Sequence, residues 1–187
     1  MSAPHTVYTI SPSPDSTLAV ETRKAGLKKE KHLFIFERFS GTLVYDPERP
    51  LDTTLNLLID ARSVLCRDRS QKPKRAATLT RFAADQALAT SRYPEIQLAS
   101  KRFVAKPLRG FVAEASLHLH GVEHPIKANI GFGVRKNDRI QIDADAALCL
   151  SQFGIPRPSS LFGLIHTEDE IVLHALIWGV ASHNNQG

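Results

Sequence analysis

Apolar and polar residues alternate strictly along three consecutive stretches between residues 111 and 150, and this pattern constrains the fold more than any other feature. The first stretch has its apolar residues at Phe111, Ala113, Ala115, Leu117 and Leu119. Because successive side chains of a strand point to opposite faces, the three stretches predict a meander of antiparallel strands with one dry face. Strands of about ten residues are longer than usual and suit a barrel better than a small sandwich.

Five other stretches predict further strands, which brings the expected number to eight. They cover residues 17–24, 32–45, 53–60, 96–104 and 171–180. Gly41, inside the second of them, predicts a bulge or bend of the kind that barrels need at their corners. Between residues 61 and 91 the Ala-rich sequence predicts a helix that is capped by Thr78 and ends at Tyr93, the residue before a proline. Residues 151–164 predict an irregular crossing with one short helical turn.

These elements predict a mainly β fold, an extended eight-stranded antiparallel barrel with helical insertions after strands 3 and 7. We expect a single domain over residues 1–187, with a core over about 7–181 and a polar C-terminal tail at 182–187. Apolar residues make up 42% of the chain and charged residues 23%, as in soluble globular proteins. The net charge of +5 is too small for a chain of 187 residues to identify a class of partner.

Residues 1–8 have neither the basic nor the apolar region of a signal peptide, and no apolar run is long enough to span a membrane. We therefore expect no transmembrane segment and a cytoplasmic protein, or a periplasmic one if a leader was removed. Cys66 and Cys149 lack CxxC spacing and predict free structural thiols.

Six short segments, taken in chain order, resemble motifs of one protein family. They are YTISP at residues 8–12, FSGTLVYDP at 39–47, LIDARSV at 58–64, YPEI at 93–96, LHLHGVEHPI at 117–126 and SQFGI at 151–155. The family is the YceI-like family of lipid-binding proteins, and the segment at 117–126 is similar to its most recognisable motif, L-T-L-H-G-V-T-x-P-[VI]. The chain departs from the family pattern at Ser11, where the family usually has Asp, and at residues 80–88.

The resemblance implies a lipocalin-like barrel with an elongated central pocket for a polyisoprenoid or another long amphiphile. The resemblance implies neither a cofactor nor a catalytic residue, and it suggests a homodimer. The departure at residues 80–88 falls in the segment expected to form the pocket lid and to contact the ligand head group.

Small residues at the inward positions of the predicted strands leave space along the barrel axis. We expect this space to hold a long-chain apolar amphiphile of roughly C15 or longer, which is polyisoprenoid, quinone-like or fatty-acid-like. The predicted lining residues are Leu18, Val20, Phe34, Phe36, Leu57, Phe82, Phe111, Ala113, Leu117, Ala128, Ile130, Phe132, Ile142, Ala144, Phe153, Phe162 and Trp178.

The strongest charge feature is the basic run at residues 67–75, whose cations are Arg67, Arg69, Lys72, Lys74 and Arg75. One hypothesis is that this run binds an anionic or phosphorylated head group at the barrel rim, or makes peripheral contact with an anionic membrane. The alternative, which this composition favours, is a solvated loop. No aromatic residue is interleaved with the cations, which argues against nucleic acid as a partner.

His118, His120 and His124 open an alternative function, a metal-dependent enzyme on a cupin-like barrel. An H-x-H pair on one strand face and a third histidine across a turn would suffice for one ion. However, His118 and His120 alternate with Leu117 and Leu119, which places both imidazoles outside the barrel if the leucines point inward. Hydrogen-bonded surface histidines and a noncatalytic carrier or sensor are therefore the favoured interpretation.

Overall fold

The structure is a computed structural model that describes residues 5–25, 30–108, 110–135, 138–157, 159–160 and 165–182. Its strands are β1 Thr6–Ile10, β2 Thr17–Ala25, β3 Lys31–Phe36, β4 Phe39–Tyr45, β5 Thr54–Asp60, β6 Val64–Cys66, β7 Glu95–Ala105, β8 Phe111–Leu119, β9 Val122–Arg135, β10 Arg139–Cys149, β11 Ser159–Ser160, β12 Ile165–Thr167 and β13 Glu170–Ala181. The helix α1 covers Pro73–Phe82 and continues into a π-helical turn, Ala83–Ala87. Short 3-10 turns lie at Pro50–Asp52, Ala61–Ser63 and Leu150–Phe153.

Eight strands close into an antiparallel ring in the order β1-β4-β5-β7-β8-β9-β10-β13, and the pairing of β1 with β13 completes it. The strand β13 pairs with two strands in addition to β10. The C-terminal part of β13 pairs with β1, and residues 172–176 of β13 pair with β2. From β2 the sheet continues to β3 and β6, which extends the wall at one end of the barrel. The mainly β, eight-stranded barrel predicted from the alternating pattern is thus confirmed.

The second predicted strand, residues 32–45, is two strands, β3 and β4, separated at Glu37 and Arg38. The bulge predicted at Gly41 is wrong, since β4 keeps a regular register with β5 on both sides of the pair Gly41 and Leu57. A Cβ atom on Gly41 would lie 2.4 Å from the backbone oxygen of Asn56, so the glycine permits a close approach of two strands. β1, which the sequence interpretation missed, fills the gap between β4 and β13.

The helix begins five residues before the predicted cap at Thr78. Proline at the first helical position is favourable because its fixed φ suits a helix and its missing N–H would have had no intrahelical partner. Lys72 is the N-cap residue, and the hydroxyl of Thr78 donates instead to the backbone oxygen of Lys74 at 3.0 Å. The helix is joined to β6 by Thr80, whose hydroxyl oxygen accepts from the backbone N–H of Cys66 at 2.9 Å.

The hairpin between β8 and β9 turns at His120 and Gly121, which both have positive φ angles of 53° and 77°. Two successive residues with positive φ are typical of the tight turn that suits the twist of an antiparallel hairpin. A Cβ atom on Gly121 would lie 2.5 Å from the ring of Tyr93, so this position also requires glycine for space. The turn therefore fixes the register of the first two strands of the meander.

The interior of the barrel is filled at one end by aromatic side chains. Phe132 lies at the centre of this group, with its ring centroid 5.0 Å from that of Tyr45 and 5.9 Å from those of Phe103 and Phe111. We call these four residues the aromatic end. The other half of the barrel, beside α1, contains a cavity.

Candidate ligand-binding cavity

The cavity has a volume of about 390 Å³ and lies among the inward side chains of β2, β3, β5 and β7–β10, with β13 and the helical segment completing its wall. This volume is within the range of small-molecule sites, roughly 300 to 1,000 Å³. The wall is almost wholly apolar, and its polar members among the described residues are Thr22, Lys24, His32, Ser100, Asp145 and Thr167. An apolar wall with a few polar groups is the usual design of a site for an apolar ligand.

Small side chains create the space. Alanine occupies inward positions on every strand of the meander and on β13, at Ala113, Ala115, Ala128, Ala144, Ala146 and Ala175. A barrel of eight strands is just wide enough for side chains to fill, so alanine in place of a larger residue leaves open volume at the axis. The sequence-based expectation of space at the axis agrees with this geometry.

The helical segment closes one side of the cavity. Among the described strands β6 pairs with β3 alone, so no strand pairing joins it to β7. Apolar side chains of α1 and the π-helical turn cover this part of the wall: Leu79, Phe82, Ala83, Ala87 and Leu88 border the cavity. Four of these lie within or at the edge of residues 80–88, the segment expected from the family pattern to form a lid.

Most of the predicted lining residues border the cavity. They are Leu18, Val20, Phe34, Phe36, Leu57, Phe82, Ala113, Leu117, Ala128, Ile130, Ile142 and Ala144. Whether they bind a ligand stays a prediction.

Four of the remaining predicted lining residues are described by the structure and do not border it. Phe111 and Phe132 belong to the aromatic end, and Phe153 is fully buried against the ring of His124. Trp178 was placed on the wrong face: its neighbour Ile177 borders the cavity, and the indole lies under the guanidinium of Arg139 at 4.4 Å. Phe162 lies outside the described residues.

Polar residues that a strict period of two identifies also border the cavity, although none of them was among the predicted lining residues. Leu18 and Val20 were assigned to the inward face of β2, and continuing the same period reaches Thr22 and Lys24, which both border the cavity. His32 likewise shares its face of β3 with Phe34 and also borders the cavity.

A cluster of five charged or titratable residues lies at the edge of the cavity, and we call Lys24, Glu30, His32, Asp68 and Arg75 the polar cluster. Glu30 is its centre: Oε2 accepts from Lys24 Nζ at 3.3 Å and from Arg75 Nη2 at 3.1 Å. His32 Nδ1 lies 3.1 Å from Asp68 Oδ2. The hydrogen bond from Lys24, its charge and that of Arg75 lower the pKa of Glu30.

Asp68 is held as a carboxylate. Its partial burial acts to raise the pKa, but hydrogen bonds from the hydroxyl and backbone N–H of Ser70, from His32 and from Gln71 outweigh this and lower the pKa to about 2. Asp68 is therefore ionised at neutral pH and can only accept hydrogen bonds.

None of the five cations of the basic run borders the cavity, although all of them are described. Arg67 pairs with Glu37 at 3.1 Å on the surface, and Arg75 reaches the cavity edge only through Glu30. Arg69, Lys72 and Lys74 are exposed. The cations of the basic run therefore do not lie together around one site for an anion.

The three histidines of the metal alternative are not brought together. In the register of β8 with β9, His118 lies opposite Glu123 and His124 opposite Leu117, so the two histidines face opposite sides of the sheet. His120 sits in the hairpin turn, with Nδ1 3.3 Å from the backbone oxygen of Phe153. Among the described residues no group of three or more His, Cys, Asp or Glu side chains is arranged to hold a metal ion.

Both cysteines are free thiols, and Cys66 is buried. Within the described residues no helix has the length and apolar character needed to cross a membrane.

The fold and the cavity define a lipocalin-like antiparallel barrel built around an apolar interior site. A family model described as the YceI-like domain matches residues 8–177, and the chain belongs to that family. No curated protein sequence matches the chain.

Several solved structures share the fold. BcnA of Burkholderia cenocepacia superposes with a TM-score of 0.71 at 12% identity, covering 87% of this chain and 95% of that one. A polyisoprenoid binding domain from Saccharophagus degradans, implicated in plant cell wall breakdown, gives 0.65 at 13% identity, covering 93% and 98%. A YCEI protein of Campylobacter jejuni gives 0.57 at 18% identity, covering 81% and 85%. At these identities the likeness establishes the fold.

Proposed function

We propose that the protein is a noncatalytic carrier or sensor of a long-chain apolar amphiphile, which it binds inside the barrel. The observation that carries this proposal is the cavity of about 390 Å³ with its almost wholly apolar wall. Burial of apolar surface is non-directional and scales with area, so such a wall favours long apolar chains of several chemistries. The ligand class is polyisoprenoid, quinone-like or fatty-acid-like. The description of one structural neighbour as a polyisoprenoid binding domain supports the first of these.

The noncatalytic role is supported by the partners of two carboxylates on the meander, Glu114 and Asp145, which are the kind of group that could act as an acid or a base. Glu114 on β8 binds Arg102 at 2.8 Å and Lys127 at 3.6 Å on the outer surface. Asp145 on β10 is exposed and contacts His174. These carboxylates are separately paired and do not form an acid and base couple facing a common substrate.

Filling the cavity tests the proposal directly. Ala144→Phe and Ala128→Phe place a ring in the cavity, and we expect each to lower the affinity for a fluorescent long-chain lipid more than about tenfold. Ala147→Phe is the matched control, because Ala147 lies on the same strand as Ala144 but is exposed on the outer face. Circular dichroism checks that all three variants fold. Wild-type affinity in both cavity variants would refute binding inside the barrel.

We also propose a homodimer. The closed ring has no free edge within it, so support comes from exposed apolar side chains on the outer surface, among them Leu58, Val104 and Val180. Light scattering at micromolar concentration should give twice the chain mass of 20.7 kDa. A mass equal to one chain would refute the dimer.

A further inference from the structure

The imidazole of His32 has one ring nitrogen without a partner, although the side chain is only 5% exposed and borders the cavity. Among the described residues Nε2 makes no hydrogen bond, and Glu30 Oε2 lies 3.9 Å from it, beyond hydrogen-bond distance. Buried polar atoms in folded proteins are nearly always paired, so an unpaired one at the wall of a binding cavity indicates a partner supplied by the ligand.

The other ring nitrogen fixes what that partner must be. Nδ1 lies 3.1 Å from Asp68 Oδ2, and the carboxylate is ionised and accepts only, so Nδ1 carries the proton. In the neutral ring this leaves Nε2 with a lone pair and makes it an acceptor. Asp68 is itself fixed by Ser70 and Gln71, which holds the imidazole in one orientation.

We propose that His32 Nε2 is the head-group site of the cavity and accepts a hydrogen bond from a neutral hydroxyl at the polar end of the ligand. This rests on the proposed function, that the apolar chain is bound in the barrel. In this proposal Lys24, which also borders the cavity, donates to the oxygen of the same hydroxyl. The ligand class is therefore a long-chain alcohol, or a phenol such as a reduced quinone.

The charges of the polar cluster favour a neutral head group over an anionic one. Lys24 and Arg75 both bind Glu30, and with Asp68 the cluster holds as many carboxylates as cations. An unprotonated anion has no hydrogen to donate to Nε2, and its charge would lie close to the Glu30 carboxylate, which is 3.9 Å from that atom. A hydroxyl meets no such repulsion.

The test compares three ligands that share one chain. Farnesol has a hydroxyl donor, farnesyl methyl ether has the same oxygen without a proton, and farnesyl phosphate has an anion. Displacement of a fluorescent lipid is measured at about pH 8.5, because alkaline conditions favour the neutral form of an imidazole. We expect the wild-type protein to bind farnesol about five- to tenfold more tightly than the ether, and the phosphate no more tightly than farnesol.

Variants assign the preference to His32. His32→Leu should bind farnesol and the ether equally. His118→Leu is the matched control, because it makes the same substitution at a histidine of β8 that does not border the cavity. The control should keep the wild-type preference. Because the three-ligand comparison in the wild-type protein needs no variant, a folding defect in His32→Leu would not remove the test.

The outcomes separate the two proposals. Equal binding of farnesol and ether to the wild-type protein, blocked by Ala144→Phe, would leave the cavity function standing and overturn the role of His32. A preference for farnesol that survives in His32→Leu would overturn it as well, as would tightest binding of the phosphate. Failure of all three ligands to displace the lipid would also overturn the role of His32. Wild-type affinity for the lipid in both Ala144→Phe and Ala128→Phe would overturn the proposed function itself.

Discussion

The aromatic end and the cavity half of the barrel are built by the same strands with the same alternation, yet one is filled and the other is hollow. β9 contributes Phe132 to the aromatic end and Ala128 to the cavity wall, two positions on one face. β8 likewise carries Phe111 at one end and Ala115 farther along. Period two decides which residues point inward, and side-chain size decides whether the interior is core or binding site.

The largest expected effect is a difference in the loss of stability between substitutions at the aromatic end and substitutions at the cavity wall. Phe103 is 3% exposed at the aromatic end, and Phe103→Ala should lower the free energy of unfolding by about 3–5 kcal/mol, since it opens a void in a packed region. Phe34→Ala at the cavity wall should cost only about 1–2 kcal/mol, because its ring already borders open space and loses fewer contacts. Urea denaturation measures both. Equal losses would show that the cavity half is packed in solution.

Two glycines of the barrel wall differ in the space that is available for a side chain. Gly41→Ala forces a Cβ atom to 2.4 Å from the backbone oxygen of Asn56 and should destabilise the fold by about 1–3 kcal/mol. Gly131→Ala is the matched control, because a Cβ atom there meets nothing within 4 Å, and its effect should be within about 0.5 kcal/mol of zero. Thermal unfolding followed by circular dichroism gives the difference, and a tolerated Gly41→Ala would contradict the close strand approach.

A smaller effect concerns acid stability at the cavity edge. The pKa of Asp68 is lowered to about 2 in the folded protein from an ordinary value of 3.8, so its contribution is present above about pH 4 and is lost as the pH falls towards 2. Asp68→Asn should therefore cost about 1 kcal/mol at pH 7, a figure reduced by solvent screening, and the deficit should vanish near pH 2. Asp52→Asn, at a carboxylate 58% exposed, is the control. A loss of stability in Asp68→Asn that is the same at every pH would contradict a lowered pKa of Asp68 in the folded protein.

The smallest effect is expected from the basic run outside the cavity. Replacing Arg69, Lys72 and Lys74 with Gln should change the affinity for a prenyl phosphate less than about twofold, since these side chains are exposed and none borders the cavity. The matching prenyl alcohol is the control ligand. A loss for the phosphate alone would restore the hypothesis that this run selects an anionic head group.

Much of the fold follows from local pattern. The meander of β8, β9 and β10 was predicted because strict alternation depends only on neighbouring residues. β1 was missed because it has only five residues and its place depends on pairing with β4 and β13, which are distant in the chain. Trp178 was assigned to the wrong face although the period from Ile171 to Ile177 predicts an outward side chain.

The order of residues along the chain was enough to predict a barrel and most of its inward residues, because period two is a property of each strand alone. The position of those residues along the barrel axis depends on the stagger of the strands, which is a property of the whole ring. This stagger places Phe132 among three other rings and Ala128 beside open space. The pairing of His32 with Asp68 also depends on the tertiary structure, because β3 and the loop after β6, which are distant in the chain, together place Nδ1 3.1 Å from Asp68 Oδ2.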